Sequence, residues 1–180
     1  RPHRRGRHGV GLSPRTQGAA LPRQGVVMAQ NPPEGTPRIL ARLAYDDVAA
    51  AVAFLERAFG FREAVDARLE EPDGSIFLTE ITVVDSRVMI GLAGGHGIVS
   101  PKTTGVVTQG LIVYLDDLDG HCQRARDAGA EIVSEPADQF WGDRRYEAED
   151  LEGHLWSFHQ HVRDVPLAEI RAAIRTMANN

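Results

Sequence analysis

The chain has 180 residues, 42% hydrophobic and 25% charged, with a formal net charge of −5 at pH 7. That length and balance suit one well-packed domain or two small modules sharing a core, and no apolar run approaches the roughly 18–20 residues a membrane span needs. A single cysteine, Cys122, excludes an intrachain disulfide and fits a reducing cytosol, with a buried bystander thiol expected there.

Charge is unevenly placed. Residues 1–38 hold seven Arg and one acid, Glu34, whereas the rest carries 13 basic and 24 acidic residues. An acidic body argues against nucleic acid as partner, and the basic stretch has neither aromatics for stacking nor an amphipathic period for a membrane surface. Residues 1–37 are rich in Gly, Arg and Ser and carry six prolines. They are expected to be a disordered tail, because they bury too little apolar surface to offset their ordering entropy. Met28, followed by Ala-Gln-Asn-Pro, reads as a plausible native start.

Residues 38–45 predict a strand with Ile39, Ala41 and Leu43 on one face and Leu40, Arg42 and Ala44 on the other. Asp47 is placed to cap a helix whose Val48, Val52, Leu55 and Phe59 recur at helical spacing until Gly60 stops it. Three strands are expected next, over 64–70, 76–84 and 87–93, joined by turns at Pro72-Asp73-Gly74 and Asp85-Ser86-Arg87. Residues 94–109, rich in Gly, Ser, Thr and Pro, read as a linker or lid.

The pattern then repeats. Leu111–Leu115 is a second apolar strand, and Asp117 caps a helix burying Leu118, Cys122 and Ala125 and ending near Gly129. Strands follow over 131–135, 144–149 and 155–161. Tyr45-Asp46-Asp47-Val48 and Leu115-Asp116-Asp117-Leu118 are thus the same punctuation at an offset of 70 residues, the size of one βαβββ unit. The expected fold is α+β: tandem βαβββ modules over 38–93 and 110–162, forming a curved mixed sheet around a cup-shaped cavity. A C-terminal helix over 163–180 sets Leu167, Ile170, Ile174 and Met177 on one stripe, suited to packing outside the domain or across a dimer.

The run Phe140-Trp141-Gly142-Asp143-Arg144-Arg145-Tyr146, followed by Asp150-Leu151-Glu152-Gly153-His154-Leu155-Trp156-Ser157, resembles the signature of the vicinal oxygen chelate superfamily. That group includes glyoxalase, the bleomycin-resistance proteins and extradiol dioxygenases, and the nearest branch by these motifs is the PhnB-like one. The resemblance covers about residues 38–175. Metal-using relatives take ligands from the first and last strands of each module, which the two registers place at Leu40, Gly110, Ile90 and Ser157. None is a normal ligand for a divalent ion, so the resemblance implies the cup without the metal.

By alternation, Trp156 and Phe158 belong under the helices while Ser157 and His159 face the cup. Candidate ligand contacts are Leu40, Arg42, Glu80, Tyr114, Trp141, Ser157 and His159. Arg42, if inside, needs an anionic partner, and a register slip would leave it solvated. Glu80 is a general base or that partner. Tyr114 orients a polar ligand or fills the core, and Trp141 stacks on a planar ligand or plugs the gap beside the sheet. Asp143 with Arg144 or Arg145 reads as a hinge salt bridge, and His154 as a turn residue bonding backbone.

The expected function is binding of a small organic molecule in a metal-free cup, by sequestration, in a cytoplasmic homodimer. The alternative is a metal-dependent lyase, isomerase or dioxygenase with displaced ligands His159, His161 and Glu80 holding a divalent ion.

Overall fold

The computed structural model describes residues 29–179, so most of the expected disordered tail lies outside the described residues. Residues 29–35 belong to a unit of their own, distinct from the body that begins at Thr36, and residues 29–40 contain no helix or strand.

The first module opens with β1 (Ala41–Tyr45) and α1 (Val48–Phe59). The Asp47 carboxylate accepts the Ala50 N–H at 2.9 Å, and Gly60 closes the helix in the left-handed conformation with φ 69°, as an N-cap Asp and a C-terminal Gly should. Val48, Val52, Leu55 and Phe59 are all buried. The strand expected over 64–70 is broken instead into β2 (Arg62–Glu63) and β3 (Leu69–Glu70) around a single turn of 3-10 helix at Val65–Ala67. Glu63 causes the break. It pairs with Arg68 and accepts the Thr79 hydroxyl at 2.8 Å, which draws the chain back on itself and takes the intervening residues out of the ladder. Strands β4 (Ile76–Val83) and β5 (Ser86–Leu92) complete a sheet ordered β1-β5-β4-β2, with β3 also on β4 and β1 parallel to β5.

The connector to the second module carries one short helix, α2 (Pro101–Thr104), capped by Ser100. Then come β6 (Gly110–Tyr114), α3 (Leu118–Asp127), β7 (Glu131–Asp138), β8 (Asp143–Glu149) and β9 (Leu155–His161), in a sheet ordered β6-β9-β8-β7 with β6 parallel to β9. This repeats the first topology. The duplication reaches the caps, since the Asp117 carboxylate accepts Gly120 N–H at 3.0 Å as Asp47 accepts Ala50. The last helix, α4 (Leu167–Ala178), has no buried residue; Leu167, Ile174 and Met177 are each more than half exposed.

The modules meet through the helix-bearing faces of their sheets. Phe59 and Phe61 of the first interleave with Trp156 and Phe158 of the second, with ring centroids 4.9–6.4 Å apart, and a single apolar cluster runs through both. Inside it, His121 lies between the Tyr146 hydroxyl (2.6 Å) and the Phe59 carbonyl (3.0 Å), and desolvation holds its pKa below the ordinary value. Among the described residues no strand of one sheet pairs with the other, and each sheet keeps a face turned away from this core, free of the other sheet.

A polar clamp fixes how the modules sit. The hairpin 150–154 reaches the start of α1, where the Glu152 carboxylate accepts Asp46 N–H (2.8 Å), Asp47 N–H (3.0 Å) and the Ser100 hydroxyl (2.5 Å). Asp150 takes the N–H groups of Glu152 and His154 with one oxygen, and Tyr45 O–H (2.6 Å) and Trp156 Nε1–H (3.0 Å) with the other. Burial, and then the Asp150 charge, push the Tyr45 phenol well above its ordinary pKa. Replacing Glu152 by Ala orphans three donors, of which the Ser100 hydroxyl is fully buried, so urea unfolding should report a loss of about 1–3 kcal/mol. A change below about 0.5 kcal/mol, the size of an ordinary surface substitution, would show that the clamp does not hold the modules.

Candidate functional site

The free face of the second sheet forms a hollow of about 510 Å³, within the range of small-molecule sites. Strand alternation builds it: β6 contributes Gly110, Ile112 and Tyr114, β8 contributes Asp143, Arg145 and Glu147, and β9 contributes Leu155, Ser157 and His159. Trp141 enters from the loop before β8. That loop turns at Gly142, whose φ is 105° and where a Cβ would stand 2.1 Å from the Arg163 carbonyl oxygen, so only glycine brings Trp141 and Asp143 to the same rim.

Asp143 organises the floor. One carboxylate oxygen receives Tyr114 O–H (3.0 Å), Trp141 Nε1–H (3.1 Å) and His159 Nδ1 (3.1 Å), and the other receives His161 Nδ1 (2.9 Å). Burial alone would raise its pKa, but bonds from His161, His159, Tyr114 and Trp141 outweigh it and bring the carboxyl down to about 2. The same contact raises the Tyr114 phenol, and the bonds to Asp143 and then Asp164 raise His161. On the far side of the histidine, Ser157 Oγ lies 3.0 Å from His159 Nε2. Arg145 pairs with Glu147 at 3.4 Å, its guanidinium stands 5.7 Å from the Trp141 ring centroid, and its Nε is buried without a hydrogen-bond partner.

Of the residues expected around the cup, Tyr114, Trp141, Ser157 and His159 come together here. Arg42 and Glu80 do not: they lie on the corresponding free face of the first sheet, because the halves join by their helix-bearing sides instead of curling around one hollow. Nor do they pair with each other. Glu80 meets Arg87 at 3.3 Å, while Arg42 lies over Gly91, where a Cβ would stand 3.1 Å from its guanidinium, and its Nε has no partner. Leu40 is half-buried just before β1 and does not line this hollow. Ile90 is a register correction: it is fully buried on the helix side opposite Leu43, and Met89 and Gly91 occupy the free face. The cause is loop length. Val83 pairs with Ser86 across two residues, whereas Glu149 pairs with Leu155 across five, and matching the two hairpins residue for residue slips the strand by one.

Asp143 is likewise not a hinge partner of its neighbours. Arg144 goes to Asp119 (3.0 Å) and Asp138 (2.9 Å) instead. His154 does bond backbone, at Ala44 O (2.9 Å), although that carbonyl belongs to the other module. The sequence reading offers neither Asp143 nor Arg145 as a ligand contact, yet Asp143, Arg145 and Glu147 alternate along β8 as Ser157 and His159 do along β9, and that shared period is the available signal.

The positions at which metal-using relatives hold an ion carry residues that do not fit one. Gly110 offers no side chain and Ser157 a lone hydroxyl, and the corrected register gives Met89 in place of Ile90. His159 and His161 both turn Nδ1 onto Asp143, and Glu80 is on the other sheet. Among the described residues no three His, Cys, Asp or Glu side chains are grouped to hold a metal.

The family model "Glyoxalase/Bleomycin resistance protein/Dioxygenase superfamily" matches residues 37–158, and the chain belongs to that superfamily. TioX from Micromonospora sp. ML1 is 36% identical, with 71% of this chain and 98% of that one covered at a TM-score of 0.55. The uncharacterized protein Rv0887c of Mycobacterium tuberculosis is 33% identical over 168 residues, covering 90% of this chain and 95% of its own. TnmS3, an antibiotic binding protein from Streptomyces sp. CB03234, shares the fold at 19% identity and a TM-score of 0.53, over 68% of this chain and 93% of that one. Among the described residues no helix is long and apolar enough to cross a membrane.

Because its pKa falls from the ordinary 3.8 to about 2 on folding, Asp143 adds stability that is present above the unfolded value and lost as pH falls toward about 2. The melting temperature of the wild type should therefore drop more steeply between about pH 4 and pH 2 than that of Asp143→Asn. Parallel curves would contradict the assignment.

Proposed function

We propose that the hollow on the second sheet binds a planar organic anion, without a metal, and that sequestering such a molecule is the function of the chain. The observation that carries this is Arg145, which lines the hollow with its guanidinium beside the indole of Trp141; a cation next to a flat ring suits a planar ligand with an anionic or carbonyl oxygen. Tyr114 and Ile112, both more than half exposed, supply further flat and apolar wall. TnmS3, an antibiotic binding protein, shares this fold, which supports the same use here. The motifs around Trp141 and His154 favour the PhnB-like branch, and the lone buried thiol of Cys122 favours a cytoplasmic setting.

A second copy of the chain completes the cup. Only the second module lines the hollow, and the apolar stripe of α4 is uncovered, which supports a homodimer. Sedimentation at micromolar concentration should report twice the chain mass; a monomer would count against the closure of the cup by a partner.

1-Naphthoate serves as the probe. It should raise the melting temperature of the wild type in a dose-dependent way, with zinc or a chelator making no difference. Arg145→Met should weaken the apparent affinity at least about tenfold, the loss of one charge-assisted contact. No shift with the wild type, or a shift that needs the metal, would overturn the reading.

A further inference from the structure

Beyond a bare surface for binding, the floor of the hollow presents three side chains in an order that organic chemistry uses. Asp143 faces His159 Nδ1 at 3.1 Å, and His159 Nε2 faces Ser157 Oγ at 3.0 Å. The proton positions follow from the partners. Nδ1 has a carboxylate in front of it and therefore carries hydrogen; in the neutral tautomer so fixed, Nε2 is the acceptor and Ser157 the donor to it. Glu147 Oε1, the other acceptor near the hydroxyl, is more distant at 3.4 Å. A hydroxyl within reach of a base, with the base oriented by a third group, is the geometry of an activated nucleophile. Asp143 is well suited to the third role, because four donors hold it ionised and fix its plane.

The site also contains a group for the charge that would develop. Arg145 is the direct cross-strand neighbour of His159. Its Nη1 and the Ser157 hydroxyl both lie 3.4 Å from the same oxygen, Glu147 Oε1, while its Nε is unspent. A carbonyl attacked by Ser157 would thus develop its negative oxygen in the same hollow as the Arg145 guanidinium, whose charge favours it.

We propose that Ser157 is a nucleophile served by His159, and that the hollow accepts acyl groups from esters of planar alcohols or acids. This rests on the reading of the hollow as a ligand site. In the first step Ser157 Oγ bonds to the ester carbonyl carbon and its proton passes to His159 Nε2. The bond from carbon to the leaving oxygen then breaks, and the leaving alkoxide takes that proton from His159. In the second step a water molecule attacks the acyl-serine, gives a proton to His159, and releases the acid as Ser157 recovers its hydrogen. The sum is ester plus water to acid plus alcohol. Ser157 and His159 are the catalytic residues; Asp143 acts through His159 as a positioning residue.

Full-length protein is incubated with 4-nitrophenyl acetate, nitrophenolate release is followed, and intact mass spectrometry with peptide mapping locates the acetyl group. The expected result is one acetyl per chain on Ser157, no adduct in Ser157→Ala, and a rate on the order of 100-fold lower in His159→Gln, whose hydroxyl is retained. Asp143→Asn should lower the maximal acylation rate while leaving the half-saturating ester concentration unchanged, a split that mere unfolding would not produce. Absence of an adduct on folded wild type, an adduct that persists in Ser157→Ala, or equal rates with and without His159 would overturn the proposal. The 1-naphthoate shift is read on the same wild-type sample. A shift without acetylation sinks the nucleophile and spares the binding site, whereas no shift sinks the binding site itself.

Discussion

Both sheets of this molecule turn their helix-bearing faces to one core, and that packing constrains everything else. A strand gives every second residue to the core, so Leu43, Ile81, Val88 and Ile90 in one module and Val113, Tyr146, Trp156 and Phe158 in the other are committed to it. Phe59 at the end of α1 makes the joint, touching Trp156 and Phe158 across the module boundary. The remaining residues of the same strands are released from packing and form two outward faces. The duplicated halves therefore yield two outward faces within one chain, and on the second polar groups converge in a hollow.

The difference between the two faces lies in what their carboxylates do. On the first, Glu80 is spent on Arg87 at the edge, and Arg42 lies flat over Gly91. On the second, Glu147 occupies the position equivalent to Glu80, opposite Ser157 as Glu80 is opposite Met89, but Asp143 adds a hub that orders Tyr114, Trp141, His159 and His161 together. A single buried anion with four donors is stable because each bond favours the charged form over the cost of desolvation. Ser157, Arg145 and Glu147 line the same floor beside this hub.

Much of the architecture was legible in the sequence because it is local. The caps at Asp47 and Asp117, the stop at Gly60 and the repeat of 70 residues are set by nearest neighbours, and the period of two assigned Trp156 and Phe158 to the core and Ser157 and His159 to the other face. What was illegible depends on distant partners. The break between β2 and β3 is made by Glu63 meeting Arg68 and Thr79, the slip at Ile90 by unequal hairpin lengths, and the Asp143 hub by donors from β6, β9 and a loop. The clamp formed by Glu152 joins residues more than 100 positions apart, and no spacing rule within a module points to it. The arrangement of the halves back to back, too, depends on Phe59 finding Trp156 and Phe158, a contact that alternation permits and does not specify.

The central claim, that the outward face of the second sheet is where a planar anion binds, has a built-in control because the chain contains two tryptophans. Trp141 lines the hollow with its Nε1–H on Asp143, and Trp156 is sealed in the core with its Nε1–H on Asp150. Titration of nitrogen-15-labelled protein with 1-naphthoate should move the Trp141 indole resonance and leave that of Trp156 in place. An unmoved Trp141 resonance under saturating naphthoate, or a change confined to Trp156, would contradict the account.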